Sequence, residues 1–140
     1  TEGHLIKEYI KENKVPVIVG PILSSRGKQE LKNKNISAIK ELFDEGLEIS
    51  LTTDYPVMPF VGLLNTAIGA CKSGVDEEDA LSMITINAAK IIGIDNKVGS
   101  IEVGKDSDLV IFDNNPFKYV SKILYTIIDG KIVYNNLDNN

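Results

Sequence analysis

Two short apolar runs, each preceded by an amphipathic pattern, constrain the fold of this chain more than any other feature. The first run, residues 15–19, is β-branched and bounded by Asn13-Lys14 and Gly20-Pro21, as is typical of a buried parallel strand. The second run alternates apolar and polar side chains at the two-residue period of a strand. Residues 3–13 and 36–45 carry apolar side chains at helical spacing. The order helix, strand, helix, strand predicts an α/β fold with parallel strands.

Asp54 stands where the second predicted strand ends. By strand alternation it shares a face with the polar residues Glu48, Ser50 and Thr52. In a β/α barrel, a carboxylate at the C-terminal end of a strand's inner face opens into the mouth that holds the active site. An aspartate there can bind a divalent cation and accept a proton from the water that such a cation activates. A second interpretation is that Asp54 caps the turn formed with Tyr55-Pro56, a common use of Asp before Pro.

The pattern changes in the later part of the chain. Three more helices are predicted there, covering Val61 to Lys72, Asp76 to about Met83, and Ile86 to Ile92 with Thr85 as N-cap. From about Asp95, glycines separate short β-rich runs at residues 109–112, 123–128 and 131–134. Asp129-Gly130 predicts a two-residue hairpin turn, because that turn needs positive φ at both central residues. We therefore expect two structural units, residues 1–95 and residues 96–140.

Composition and charge exclude several classes of function. The formal net charge is −5, with lysines spread singly among acidic residues, so no nucleic-acid partner is expected. No apolar run approaches the roughly 18 residues of a membrane span, so no membrane partner is expected. The one cysteine, Cys71, cannot form an internal disulfide, and its apolar helical run predicts a buried thiol. A cytoplasmic location is the expectation, and a homo-oligomer is left open.

Two motifs in the chain resemble the amidohydrolase superfamily of metal-dependent hydrolases. Residues 51–56, LTTDYP, resemble the family's TDxP motif after the eighth strand. Residues 80–113, ALSMITINAAKIIGIDNKVGSIEVGKDSDLVIFD, are similar to its helix, turn and strand signature, and residues 129–133, DGKIV, extend the similarity. The resemblance spans most of the chain, from Thr1 to Tyr134, and is greatest to the branch that contains imidazolonepropionases and related cyclic-amide hydrolases.

The resemblance implies a fold and a chemistry. The fold is a partial β/α (TIM-like) barrel with Val15 to Val19 and Ile49 to Thr53 as its last two strands, followed by strands of a small composite β-sandwich. The chemistry is hydrolysis of a C–N bond in a cyclic or small amide, with Asp54 as metal ligand and general base. The divalent metal is expected to be zinc, with iron and manganese as alternatives.

Chain length adds an expectation about completeness. A whole barrel of this type takes about 250 residues, whereas this chain has 140 and begins at Thr1. We therefore expect a C-terminal fragment that is inactive alone and needs the missing N-terminal part of the same protein. A hypothesis of a different class is a non-catalytic α/β binding or scaffold module that retains the end of the fold without a metal site.

Two further residues are candidates for contacts to the substrate. The resemblance places His4, the one histidine, in the loop or first turn after strand six, where it could line the substrate mouth. An ordinary, partly exposed histidine near a helix N-terminus is the alternative. Arg26, the sole arginine, falls in the loop after strand seven, where a guanidinium could hold a substrate carboxylate or carbonyl. A solvated loop arginine is the alternative.

Overall fold

The computed structural model describes residues 2–24 and 27–137. Within these ranges the strands β1 to β5 span Val17–Val19, Ile49–Leu51, Leu109–Phe112, Ile123–Ile128 and Lys131–Asn135. The helices α1 to α5 span Lys7–Glu12, Ala38–Asp44, Leu63–Lys72, Glu77–Met83 and Ile86–Ile91, and short 3-10 helices span Gly3–Ile6, Gln29–Leu31 and Phe60–Gly62. These elements confirm the predicted order of helices and strands. No helix in the described ranges is both long enough and apolar enough to cross a bilayer.

The first two strands form a parallel pair. Val17 lies opposite Ile49 and Val19 opposite Leu51, which confirms their predicted relative direction. The prediction that the first strand is buried is wrong, since Ile18 is 55% exposed. The reason is that β2 is the only strand that pairs with β1 in the described part of the chain. All residues of β2, in contrast, are buried.

The main core lies between this parallel pair and the helices that follow each strand. Ile39 of α2, Ile49 of β2 and Met83 of α4 are fully buried. Burying one such side chain contributes about 1.5–3 kcal/mol relative to leaving it exposed. The buried positions of α2 are Ala38, Ile39 and Leu42, which lie on one side of a helix at the spacing that the sequence pattern predicts.

The last three strands form a second, antiparallel sheet in the order β3, β4, β5. Asp129 and Gly130 join β4 to β5 with φ angles of 50° and 71°, so the predicted hairpin turn is confirmed. Residues before β3 anchor this turn. The Asp129 N–H donates to the Asp108 carboxylate (2.8 Å), and the Gly130 N–H donates to the Ser107 carbonyl oxygen (3.1 Å).

The chain around the antiparallel sheet also contacts the helices. A Cβ built on Gly99 would lie 2.8 Å from the Cβ of Ala89 in α5, so the backbone passes directly over that helix. Phe117 packs against the main core. The Asn115 side-chain amide donates to the Glu77 carboxylate of α4 at 2.5 Å. These contacts connect the β-rich part of the chain to the helical part.

The residues that precede α4 and α5 differ in how they cap their helices. Asp76 caps α4, because its carboxylate accepts a hydrogen bond from the Asp79 N–H at 3.0 Å. Thr85 holds the N-cap position of α5, but its side chain makes no cap hydrogen bond. Its hydroxyl donates instead to the Leu81 carbonyl oxygen at 2.7 Å. The predicted N-cap position of Thr85 is therefore confirmed, although its hydroxyl bonds to a carbonyl of α4 and does not cap the N–H groups of α5.

Candidate active site at the carboxyl ends of the parallel strands

The carboxyl ends of β1 and β2 meet at one edge because the two strands are parallel. The Thr52 N–H donates to the Val19 carbonyl oxygen at 2.9 Å, so the pairing continues one residue beyond β2. Gly20 then passes very close to the same residue, since a Cβ built on Gly20 would lie 2.0 Å from the Thr52 carbonyl oxygen. A side chain at this position has no room, so the close approach requires glycine. Asp54 follows Thr52 by two residues along the chain.

Asp54 does not continue the alternation of β2. The strand ends at Leu51, and Asp54 has a left-handed φ of 54°, whereas a residue in a parallel strand has φ of about −120°. The prediction that strand parity sets the direction of Asp54 is therefore wrong, because parity applies only while the backbone stays extended. Asp54 nevertheless follows the carboxyl end of the strand, three residues after Leu51.

The Asp54 carboxylate is exposed, and within residues 2–24 and 27–137 it has no hydrogen-bond or ion-pair partner. Its backbone, however, is fixed on both sides. The N–H donates to Thr52 Oγ1 (3.1 Å), and the carbonyl oxygen accepts from the Val57 N–H (2.8 Å). The turn through Tyr55-Pro56 is thus closed by backbone groups, and the Asp54 side chain does not cap it. The carboxylate is free to bind a group from outside the described residues.

His4 lies in the first 3-10 helix and is half-buried. Its Nδ1 is buried without a hydrogen-bond partner in the described part of the chain. His4 lines a cavity of about 130 Å³ that follows β1, whose walls include Ile18, Gly20 and Lys34. The described contacts include no bond between His4 and Asp54. The other candidate for substrate contact, Arg26, lies outside the described residues.

The donor groups in these ranges supply part of a metal site. No group of three or more His, Cys, Asp and Glu side chains is placed to hold a metal ion in residues 2–24 and 27–137. The Asp54 carboxylate fits the chemistry of one ligand, because carboxylate oxygen binds zinc, iron and manganese. A catalytic zinc site uses about three protein ligands. Asp54 therefore fits such a metal as one ligand among several.

Asn87 of α5 is a structural residue that the predictions did not include. Its side-chain amide donates to the Ile49 carbonyl oxygen of β2 at 3.2 Å. The Val17 N–H of β1 donates to the Glu48 carbonyl oxygen at 2.9 Å. Because successive carbonyls of a strand alternate in direction, the Ile49 carbonyl turns toward the opposite edge of the strand. Asn87 therefore satisfies a carbonyl at the edge of β2 that β1 cannot reach. Asn87 lies within the signature of residues 80–113, which is a signal in the sequence. The sequence does not indicate its partner, because Ile49 is 38 residues away.

An aromatic pair beside Asp54 was also missed. Tyr55 and Phe60 lie with their ring centroids 6.0 Å apart at an interplanar angle of 63°, an edge-to-face arrangement. Both rings are exposed. The sequence shows two aromatic residues in this loop, but their spacing matches neither a helix nor a strand, so no periodic pattern indicates that they meet.

Cys71 of α3 is half-buried, whereas the sequence predicted a buried thiol. Its Sγ lies 3.9 Å from the Asp76 carbonyl oxygen. Burial, together with the negative charges of Glu77 and Asp76, raises the pKa of the Cys71 thiol. The thiol is therefore neutral near pH 7, which does not suit a nucleophile or a metal ligand.

Comparison with known proteins gives concordant matches. A model of the amidohydrolase family matches residues 1–133. The chain is 30% identical to a 5-methylthioadenosine/S-adenosylhomocysteine deaminase from Thermoanaerobacter pseudethanolicus, with 92% of this chain and 35% of the relative covered. It is 37% identical to an imidazolonepropionase from a Geobacillus species, with 53% of this chain and 18% of the relative covered.

A solved structure gives the same result. The crystal structure of an amidohydrolase from Thermotoga maritima superposes with a TM-score of 0.93 at 40% sequence identity, with 97% of this chain and 36% of that chain covered. The chain thus spans about a third of the length of that protein and of the Thermoanaerobacter relative.

Proposed function

Because the chain belongs to the amidohydrolase family, we propose that it forms the C-terminal part of a metal-dependent enzyme that hydrolyses a C–N bond of a cyclic or small amide. The observation that carries this proposal is the exposed carboxylate of Asp54, which has no partner among the described residues and follows the carboxyl end of a parallel strand. In β/α barrels, active sites lie at this end of the strands. The relatives named as a deaminase and an imidazolonepropionase support chemistry at a carbon–nitrogen bond.

Asp54 has two roles in this proposal. A bound divalent cation supplies a Lewis acid that polarises a carbonyl group and acidifies water. Asp54 would hold that cation through its carboxylate and would accept a proton from the attacking water as general base. We propose zinc, with iron and manganese as alternatives, since carboxylate and imidazole ligands suit all three. The other ligands then come from parts of the enzyme outside this sequence.

The proposed architecture is a partial β/α barrel in residues 1–95 and a segment of a composite β-sandwich in residues 96–140. The cavity of about 130 Å³ supports the first part, because its described walls include all of β1 and no residue of β2, and one edge of β1 has no paired strand in the described part of the chain. A further parallel strand fits along such an edge. We propose that the preceding part of the same protein supplies that strand, and that this chain is inactive without it.

The substrate and the remaining partners follow from the same proposal. The substrate is a small-molecule amide, and His4 and Arg26 contribute to its binding. The Nδ1 of His4, which has no partner in the part of the chain that the structure describes, supports this role, because a buried ring nitrogen gains a hydrogen bond when a polar group reaches it. We propose a cytoplasmic enzyme with neither a nucleic-acid nor a membrane partner, and its net charge of −5 supports the first exclusion.

The experiment that tests the proposed function measures metal stoichiometry in the full-length protein. Asp54→Asn is expected to lower bound zinc well below one ion per chain, because an amide oxygen is a weaker ligand than a carboxylate. The matched control is Asp129→Asn, since Asp129 also has a left-handed φ, of 50°, a conformation that asparagine tolerates. The control is expected to keep its metal.

Two results would overturn the proposed function. Full metal content in the Asp54→Asn variant would show that Asp54 is not a ligand. A full-length protein that binds no stoichiometric metal and hydrolyses no amide would support the non-catalytic binding or scaffold module instead. For this chain alone with added zinc, turnover of an amide would contradict the proposed need for the missing part.

A further inference from the structure

Thr52 connects the end of the parallel strand pair to Asp54. It lies one residue beyond β2, and its N–H donates to the Val19 carbonyl oxygen at 2.9 Å. Its side-chain oxygen Oγ1 accepts a hydrogen bond from the Asp54 N–H at 3.1 Å. Thr52 is therefore bound to the end of β1 through its backbone and to Asp54 through its side chain.

The Thr52 side chain has little freedom to turn its hydroxyl away from Asp54. A Cβ built on Gly20 would lie 2.8 Å from the Thr52 methyl carbon Cγ2, so this methyl lies against the Gly20 backbone. The methyl and the hydroxyl share one tetrahedral carbon, and a β-branched side chain has few accessible χ1 rotamers. The contact of the methyl with Gly20 therefore helps to keep the hydroxyl at the Asp54 N–H.

The bond to Thr52 holds the part of the backbone that sets the direction of the Asp54 side chain. Asp54 has a φ of 54°, a conformation that is disfavoured for a residue with a Cβ. Because φ is the rotation about the N–Cα bond, a fixed N–H defines the peptide plane from which the side chain projects. On its other side, Asp54 bonds to Val57 within the same loop. Within residues 2–24 and 27–137, the Thr52 hydroxyl is the group that ties Asp54 to the strand pair.

From these contacts we propose that Thr52 is a positioning residue for the Asp54 carboxylate. This inference rests on the proposed function and deepens it, because it names the residue through which the strand pair orients the proposed metal ligand. A ligand whose direction is fixed in advance loses less conformational freedom when a cation binds. Groups that orient a metal ligand contribute about 10–100-fold to metal affinity.

The test measures the zinc affinity of the full-length protein by competition with a chelator of known affinity. Thr52→Val removes the hydroxyl from a side chain of nearly equal shape and is expected to weaken zinc binding by about tenfold, the lower end of that range. Thr52→Ser keeps the hydroxyl and is expected to bind zinc nearly as tightly as the unmodified protein. Thr52→Ala is expected to weaken zinc binding as Thr52→Val does, and it gives the same comparison if the valine variant does not fold.

Two further measurements distinguish positioning of Asp54 from a general structural role. On the Asp54→Asn background, Thr52→Val is expected to weaken the remaining zinc binding by less than about twofold, because the effects of residues that act through one group do not add. Thr85→Val is the matched control, since Thr85 is half-buried like Thr52 and its hydroxyl also bonds to a backbone group, the Leu81 carbonyl oxygen. The control is expected to keep its zinc affinity.

Three results would overturn the inference while the proposed function stands. In the first, Asp54→Asn loses zinc affinity and Thr52→Val does not. In the second, Thr52→Ser weakens zinc binding as much as Thr52→Val. In the third, Thr52→Val weakens zinc binding equally with and without the Asp54 carboxylate. Unchanged zinc affinity in Asp54→Asn would instead contradict the proposed function, and the inference with it.

Discussion

Asp54 and Asp129 share an uncommon backbone conformation for different reasons. Both have a left-handed φ, 54° and 50° respectively. At Asp129 the following glycine shares that conformation, and the N–H groups of both turn residues donate hydrogen bonds to residues before β3, which anchors the turn. The two-residue hairpin accounts for the whole arrangement. At Asp54 the turn is also closed by backbone groups, yet no contact within residues 2–24 and 27–137 accounts for its exposed carboxylate.

The backbone conformation of the hairpin turn explains Asp129. It does not explain why the side chain of Asp54 is a carboxylate. Asparagine adopts the left-handed conformation as readily as aspartate, so a hairpin does not need a negative charge at position 129. Asp54→Asn therefore keeps the backbone conformation and removes only the carboxylate, so a loss of function in this variant is due to the missing carboxylate. The following predictions test this distinction, beginning with the largest expected effect.

The first prediction concerns catalysis by the full-length enzyme. Asp54→Asn is expected to lower kcat/KM by on the order of 10²–10⁴, the range for loss of a general base. Asp129→Asn is expected to leave kcat/KM within about twofold, since surface changes of this kind have small effects. Steady-state kinetics on the two variants checks the ratio. Equal activity losses would show that the two aspartates do not differ in the proposed way.

The second prediction compares glycines in the same two regions by urea unfolding of this chain. Gly20→Ala is expected to lower the free energy of unfolding by about 3 kcal/mol, the upper end of the range for overpacking. Its new Cβ would lie 2.0 Å from a backbone oxygen, which no rotamer change relieves. Gly130→Ala meets no atom within 4 Å and is expected to cost about 1 kcal/mol for its positive φ. A smaller loss at Gly20 would contradict the close approach.

The third prediction compares two side chains that anchor these regions. Asn87→Ala is expected to lower the free energy of unfolding by about 1–3 kcal/mol, because it leaves the buried Ile49 carbonyl without its partner. Asp108→Ala removes a bond to the exposed hairpin and is expected to cost about 0.5 kcal/mol. Urea denaturation of both variants gives the two free energies of unfolding. A larger loss for Asp108→Ala than for Asn87→Ala would show that the hairpin depends more strongly on its anchoring side chain.

The smallest expected effect concerns Cys71, in the helix after the Asp54 loop. Its raised pKa means that burial favours the neutral thiol in the folded chain. Since the thiolate is the reactive form, alkylation by iodoacetamide is expected to need a higher pH in the folded chain than in the urea-unfolded chain. Rates measured across the alkaline range check this shift. Coincident profiles would indicate that the thiol is solvated like that of an unfolded chain.

Features encoded by near neighbours were predicted well. The spacing of apolar residues predicted the helices and the parallel strands, and Asp129-Gly130 predicted the hairpin, because each depends on residues within a few positions. Asp54 was found as a candidate because it follows a strand directly. Its direction was predicted wrongly, since the pattern did not show that the strand ends at Leu51.

For the candidate site, too, some features follow from local sequence and others depend on tertiary packing. The sequence by itself determined the type and order of the elements, the hairpin, the family and the location of Asp54 after a strand. Only the tertiary structure decided that Gly20 lies against Thr52, that Asn87 reaches Ile49 and that Phe60 meets Tyr55. Local periodicity reports which side of an element is apolar, whereas contacts between distant residues depend on how the elements pack. Only those contacts show that the Asp54 carboxylate has no partner among the described residues.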